Sequence, residues 1–560
     1  MDGEFHRDTL NNWVAPLPFR MPRRELPDNR EQAFSRFASL RRTLDRNAEM
    51  KKHFVAFMQD MLENGHAEPA PPRKEANEYW HLPSFGMYHP QKPGQIRVVF
   101  DSSTKYQGVS LNDLLLSGPD MTNSLIGVLL RFRKEAVAVT ADIQRMFYSF
   151  FVREEDRDYL RFLWFRDNDT SKDVIEYRMC VHAFGNTCSP AVATYGLRRT
   201  AQEGEQDFGA DVRHFIERDF YVDDGLKSLP TEEEAIDLLK RTQHILKGAN
   251  LRLHKIASNS VEVMGAFPSD DYARGLKDMD FDRGHVPMQR SLGLNWDLKA
   301  DTVHLQSARF TAPVTVQGRL LLRDISSETS DWDAPLDLND NWLTWRDSLH
   351  HLERLKIPRQ YTAISLSDAR RREICVSCDA SEKAIAAVAY IRVTDADGMQ
   401  HVGFVFGKAK LAPRPEQTIP RLELCAAVLA VHIAELVVSE IDAHIDDIKF
   451  YTDSKVVLGY IFNQSRRFYL YVSNRVNRIQ RSTKPEQWHY VPTGQNPADH
   501  ATRPVAADAL AGTTWLTGPK FLRECTDAQR ERTAFPLFEP DQDKEIRPQV
   551  AVSATRVGNQ

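Results

Sequence analysis

The sequence predicts an α+β protein whose second half turns into a more compact α/β unit. From Tyr79 to about Leu298, short β-rich runs such as "QIRVVFDSS", "AVAVTADIQ" and "FYVDDGLKSL" alternate with helical segments. From Glu373, three strand-like runs ("EICVSCDASE", "AIAAVAYIRV", "HVGFVFGKA") precede one helix, "RLELCAAVLAVHIAELVVSEI", and a further strand, "DIKFYTDS". Several of these runs end in an acid. With 560 residues, 42% hydrophobic and 27% charged, the chain is long enough for two or more domains, each with its own core.

Taken in order, a Pro- and Arg-rich start leads into helical periodicity in "EQAFSRFASLRRTLDRNAEMKKHFVAFMQDMLENG", which stops at Gly65 before the breakers "AEPAPPR". "TEEEAIDLLKRTQHILKGAN" reads as a helix capped at Thr231 and ended at Gly248. Residues 299–370 are less regular, with Trp332, Trp342 and Trp345 among polar turns, and the tail from about Pro540 is expected to be disordered. "MDGEFHRDTL" has no basic region followed by an apolar one, and the longest apolar stretch, Ala426 to Val438, is broken by His432 and Glu435, so neither a secretory signal nor a membrane span is expected. Six scattered cysteines fit a reducing compartment, and Cys375 and Cys378 fall on opposite faces of one predicted strand rather than in a zinc site. The net charge of −5 excludes a uniformly basic nucleic-acid binder and leaves room for local basic patches.

"DFYVDDG" sets Asp223 and Asp224 side by side, and each disfavours ionisation of the other unless positive charge lies near. Asp142 supplies a third carboxylate at the end of "VAVTADI", where alternation puts Ala138, Thr140 and Asp142 on one face. Acids presented from two strands suit a pair of divalent ions and phosphoryl transfer.

"YVDD" and "ADIQRMF" resemble the metal-binding boxes of retroviral-type reverse transcriptases. "FGNTCSPA", "LRLHKIASNS", "QRSLGLNWDL" and "QIRVVFDSS" are similar to that family's template-contacting, lysine-containing, primer-grip and fingers segments. "LPDNREQAFSRFASLRRTL", "SLNDLLLSGP", "IPRLELCAAVLA" and "NPADHATR" extend the resemblance to the polyprotein of Pao/BEL long-terminal-repeat retrotransposons, from about Pro16 to Leu522. The resemblance implies a reverse-transcriptase fingers, palm and thumb. It makes Asp142, Asp223 and Asp224 the ligands of two Mg²⁺, with Mn²⁺ as a substitute and the Ile143 carbonyl as a further ligand. Arg97 would clamp the dNTP triphosphate and Phe147 would exclude a ribose 2′-OH. Gly185, Ser189, Pro190 and Tyr221 would shape the template and substrate pocket, and Lys255 would donate a proton to pyrophosphate.

The order of elements after Glu373 is that of an RNase H-like domain, and "CDAS…RLEL…YTDS…NPAD" resembles the retroelement pattern of that fold. It implies four catalytic acids on a second metal pair: Asp379, Glu423, Asp453 and Asp499. Gly494 stands where related nucleases carry a histidine, and His489 and His500 are weak replacements. Arg466, Arg467, Arg475, Arg478, Arg481 and Lys484, interleaved with Phe468, Tyr469 and Tyr471 and without an acid, are expected to meet the phosphates of a hybrid.

The expected organisation is a helical lead-in at 1–75, fingers and palm at 76–298, and a thumb or connection segment at 299–370, which looks shortened ahead of "APVTV". An RNase H-like domain at 371–508 follows, then a linker at 509–560 toward an integrase whose zinc pattern does not follow Leu522. The implied partners are RNA template, DNA primer, RNA/DNA hybrid and dNTPs, with no membrane. The implied location is the cytoplasm, with virus-like particles and the nucleus as further settings. The alternatives are a decayed, non-catalytic nucleic-acid-binding relic, favoured by the shortened segment, and a retrotransposon aspartic peptidase, disfavoured because no Asp-Thr-Gly or Asp-Ser-Gly occurs.

Overall fold

The computed structural model describes residues 3–74, 77–89, 92–273, 276, 288–305, 310–327, 339–463, 465–524, 535–537 and 543–547. The expected shortening ahead of Phe310 falls largely on 306–309, and Trp332 and much of the tail also lie outside the described residues.

The first half is built on Val137–Ile143, whose residues are all buried except Asp142, the pattern of a central strand. It pairs antiparallel on one side with Asp224–Leu229 and on the other with Leu253–Ser258. Phe220–Tyr221 closes a four-stranded sheet at the edge. Behind the sheet runs Glu232–Lys247, started by the Thr231 hydroxyl accepting from the Glu234 N–H. It buries Ala235, Leu238, Leu239, Thr242, Ile245 and Leu246 at helical spacing. The N-terminal helices Arg30–Arg46 and Ala48–Glu63 pack on the finger-like strands, with Phe54 stacked on Trp164 at 5.0 Å. The lead-in is not helical throughout: Trp13–Ala15 pairs parallel with Phe150–Val152, and Trp13 is buried.

The segment between the halves is a four-stranded antiparallel sheet, Met288–Ser291, Leu294–Asp297, Thr302–Leu305 and Lys356–Pro358, with helices Ala312–Ser326 and Asp340–Ser348. The second half is a five-stranded sheet. Gln400–Leu411, Ala384–Thr394 and Arg371–Ala380 are antiparallel neighbours, followed by Asp447–Thr452 and Trp488–Tyr490 in parallel. Cys375 and Cys378 join different hydrophobic cores on the two faces of this sheet. The 22-residue helix Ile419–Glu440 is long and apolar enough to cross a membrane, but it packs on this sheet as a core helix.

Two expectations are corrected. Residues from 509 onward are not merely a linker: Trp515 is fully buried, donates to the Phe310 carbonyl at 2.9 Å and packs near Phe404. Further on, Ile546 is buried and bridges to Phe468. The two apolar side chains go to different cores, Trp515 against the Gln400–Leu411 strand and Ile546 beside Phe468.

The halves are joined through buried arginines. Arg359, fully buried, holds both oxygens of Asp301 at 2.8 Å and donates to the carbonyls of Phe132, Glu135 and Ala136. Arg133 donates to the carbonyls of Arg359 and Phe404 and lies over the Tyr361 ring. Burial, partly offset by Tyr361, pulls its guanidinium down to about 10. Arg131 joins Asp219 (2.6 Å) to Glu440 (2.9 Å) and to the Glu440 carbonyl at the C-terminus of the nuclease helix, where the helix dipole favours a cation.

Candidate active sites

The polymerase-like acids meet because of strand register. Asp142 pairs directly with Asp224 on one side and with His254 on the other. Tyr221 pairs with Asp224, so Val222 and Asp223 form a two-residue turn, and the Asp223 carbonyl accepts from the Ile143 N–H at 2.9 Å. Val222 holds φ +60, a left-handed conformation that costs a β-branched residue on the order of 1–3 kcal/mol, so strain is concentrated at the tip that presents Asp223.

These three acids are not equivalent. Burial would raise the Asp142 carboxyl, but His254 Nε2 at 2.9 Å and Lys255 Nζ at 2.8 Å outweigh it and hold Asp142 below the usual range. Burial and then the Asp142 charge raise Asp223. Burial, Asp223 and Asp142 push Asp224 up to about 7. The residues fit a divalent cation in kind, although Asp142 is turned toward two basic partners. Sequence reasoning assigned Lys255 to pyrophosphate and missed His254. A β-bulge between His254 and Ala257, with Lys255 at φ +50, lets both neighbours reach one carboxylate.

The surrounding positions divide. Phe147 is half-buried and meets the exposed Phe184 edge-on at 5.8 Å. Arg97 is exposed on Lys92–Phe100. Gly185, at φ +112, has its carbonyl held by Asn112, and an added Cβ would lie 3.3 Å from the Phe100 carbonyl. Ser189 is buried and donates to the Ala183 carbonyl at 2.8 Å, which fixes its own loop. Pro190 is exposed at the start of Ser189–Glu203, and Tyr221 is half-buried.

In the second half, Asp379 lies near the end of Arg371–Ala380, and Asp453 follows Asp447–Thr452, which runs parallel beside it. Glu423 comes from the second turn of Ile419–Glu440. Oxygens of these three lie within 4.8 Å of one another, close enough to share one cation. Burial first, then Asp379 and Asp453, push Glu423 up to about 9. Burial, then Asp453 and Asp499 against a hydrogen bond from Thr502, push Asp379 up to about 7. Glu423 Oε2 is buried with no hydrogen-bond partner, the feature a cation would satisfy.

The expected fourth acid stands apart from the other three, although its charge reaches Asp379. Asp499 sits in the turn Pro497–Ala501, paired with Arg503 at 3.0 Å and outside the close-set trio. His500 contacts Thr514 at 3.0 Å and His489 packs on Tyr451, so neither ring is directed to the acids by these contacts. Two partners escaped sequence reasoning. Asn496 donates to Asp453 (3.3 Å) and to the Cys378 carbonyl (2.9 Å), and Thr502 donates to Asp379. The only signal was their place beside Asp499 in "NPADHATR".

The basic run is also not one face. Arg475 turns inward to Cys425 (3.3 Å) and lies over the Tyr471 ring (3.5 Å), and Arg478 pairs with Glu435. Arg467, Arg481 and Lys484 are exposed, with Arg466 half-buried.

The two groups of acids stand on separate sheets, one four-stranded and antiparallel, the other five-stranded with the mixed strand order of an RNase H-like domain. Residues 306–454 match the family model described as Pao retrotransposon-like RNaseH-like domain, which spans the helices before the five-stranded sheet and the sheet through Asp453. No curated protein matches. Among solved structures, the foamy viral protease-reverse transcriptase dRH in complex with double-stranded DNA is similar at TM-score 0.49 and 13% identity, over 87% of this chain and 74% of that one. The foamy viral protease-reverse transcriptase in complex with RNA/DNA hybrid gives 0.48 and 13%, over 88% and 57% of the two chains. Its complex with dsDNA gives 0.48 and 13%, over 88% and 89%.

Proposed function

We propose that this chain is a retroelement RNA- and DNA-directed DNA polymerase that extends a DNA primer with dNTPs, joined to a ribonuclease H that removes RNA from the resulting hybrid. The observation that carries this reading is the register that sets Asp142 opposite Asp224 beside the strained Asp223 turn, on a chain whose other half gathers Asp379, Glu423 and Asp453.

Asp142, Asp223 and Asp224 would hold one pair of Mg²⁺ ions and Asp379, Glu423 and Asp453 the other, with Asp499 near the second pair. Bound there, the ions supply activation of the attacking oxygen and neutralisation of the leaving group. The protein's own groups do the rest. Phe147 and Phe184 wall the space where a ribose would sit, and Arg97 offers a guanidinium to a triphosphate. Lys255, 2.8 Å from Asp142 here, would on release give a proton to departing pyrophosphate. Thr502 and Asn496 hold the Asp379 and Asp453 carboxylates in place. Five described cysteines are free thiols, in keeping with work in the cytoplasm or in particles assembled there.

The test is primer extension on poly(rA)/oligo(dT) by the intact chain over a range of Mg²⁺ and Mn²⁺. Templated extension is expected, and its absence at every metal concentration overturns the polymerase reading.

A further inference from the structure

Residues 543–547 lie against the nuclease half at the start of the Leu470–Ser482 helix. Glu545 takes Arg421 in a two-pronged ion pair (2.6 and 3.2 Å), and Asp543 accepts from the Tyr460 hydroxyl at 2.5 Å. The backbone continues the latch: Tyr469 N donates to the Glu545 carbonyl at 3.0 Å and Arg547 N to the Arg467 carbonyl at 2.8 Å, with Ile546 buried between. This docking brings Arg547 over the Tyr469 ring and into a groove of about 390 Å³. Asn463, Arg466, Arg467, Asn477, Gln480 and Arg547 line the groove, with no acid among its described lining.

We infer that this groove is a phosphate-backbone site for a nucleic-acid strand, completed by the C-terminal segment, which delivers Arg547. Guanidinium groups from two distant stretches of chain meet on one concave, solvent-open surface, a positive potential that phosphate oxygens would complement. Guanidinium forks and neutral amide donors are the groups that hold phosphate oxygens without reading bases. The half-exposed Tyr469 and exposed Leu470 at the rim give a base or sugar an apolar surface. The inference rests on the nucleic-acid reading above and adds a contact outside the two acidic centres.

The acids of the latch make the test one of sign. Full-length protein is titrated with a labelled RNA/DNA hybrid, in chelator so that no strand is cut, over about 50 to 200 mM salt. R547A is expected to weaken binding about three- to tenfold and to lower the slope of log affinity against log salt by about one, with R547K keeping the slope. E545A removes a negative charge and would tighten binding if only net charge mattered. Here it weakens binding, because Arg547 is no longer held in place, and Y460F, which loosens Asp543, does the same more mildly. An unchanged slope in R547A, or tighter binding by E545A, overturns the groove. If those variants retain extension and hybrid cleavage, the enzyme reading stands without the groove. A lowered slope in R547A, in a chain that extends no primer, keeps the groove and removes the polymerase.

Discussion

Asp453→Asn separates the chemistry of the nuclease acids from their effect on stability. In the wild-type chain without cations, Asp379 and Asp453 present oxygens within 4.8 Å. At an effective dielectric near 20, two full charges at that distance repel by about 3.5 kcal/mol. Asp379, raised to about 7, is mostly ionised at pH 8 and mostly neutral at pH 5. The amide removes the repulsion only where it exists, so the variant in chelator should gain on the order of 3 kcal/mol at pH 8 and under about 1 kcal/mol at pH 5. With an unfolding entropy of about 2.1 cal/mol/K per residue over 560 residues, the pH 8 gain is a Tm rise of about 2–3 °C, read by calorimetry. Mg²⁺ at about a hundred times its dissociation constant should raise the wild type by about 2.7 kcal/mol and the variant by less. Cleavage of a labelled hybrid should vanish while primer extension persists. Equal Tm values at pH 8 in chelator, equal stabilisation of both proteins by Mg²⁺, or surviving cleavage would refute the assignment of this trio.

Without cations, the denaturant midpoint should fall as pH rises from about 5 to 9. Asp379, Asp224 and Glu423 have raised folded-state values, so their contribution is complete below about pH 4 and is lost through about 7 and about 9. Phe147→Ala should raise ribonucleotide incorporation relative to deoxyribonucleotide by about 10- to 100-fold in single-nucleotide extension, and an unchanged ratio would remove its gate role. Arg359→Met leaves Asp301 and three carbonyls without their partner, costing on the order of 3–5 kcal/mol. Both halves should lose stability in the same denaturation curve.

Much of this architecture is legible in sequence because it depends on local patterns. β-Branched alternation exposes Val137–Ile143, a Thr cap and a Gly stop bracket Glu232–Lys247, and the strand order after Glu373 gives the nuclease sheet. Acids at strand ends are readable for the same reason: Asp142, Asp379 and Asp453 sit where a strand stops. Partners chosen by tertiary register are not readable. His254 reaches Asp142 only because of a bulge, and Thr502 reaches Asp379 from a turn remote in sequence. Arg475 reads as a surface cation and instead folds inward onto Cys425 and Tyr471. Asp499 has Arg503 four residues on at ion-pair spacing, a local pairing the sequence does show.

The interface sets how far apart the two centres act. Arg131 docks at Glu440, the last residue of the helix that carries Glu423, and seventeen residues at a rise of about 1.5 Å put roughly 25 Å between them. From Arg131 the path crosses Asp219 and Lys227, paired at 2.6 Å, to Asp224, three residues away along the same strand. Three strand residues span about 10 Å, and the three ion pairs bring the whole path to on the order of 50 Å. At about 3.4 Å per base pair that is no more than roughly 15 base pairs of duplex. A path of buried ion pairs and regular elements holds this separation nearly constant. RNA cuts made during stalled extension should therefore fall in a narrow band within about 15 base pairs of the primer end. Arg131→Met, which unties Asp219 from Glu440, should broaden the band without moving either set of acids. A band well beyond that distance, or an equally narrow one in the variant, would mean that the two halves are not held together at Arg131 while they work.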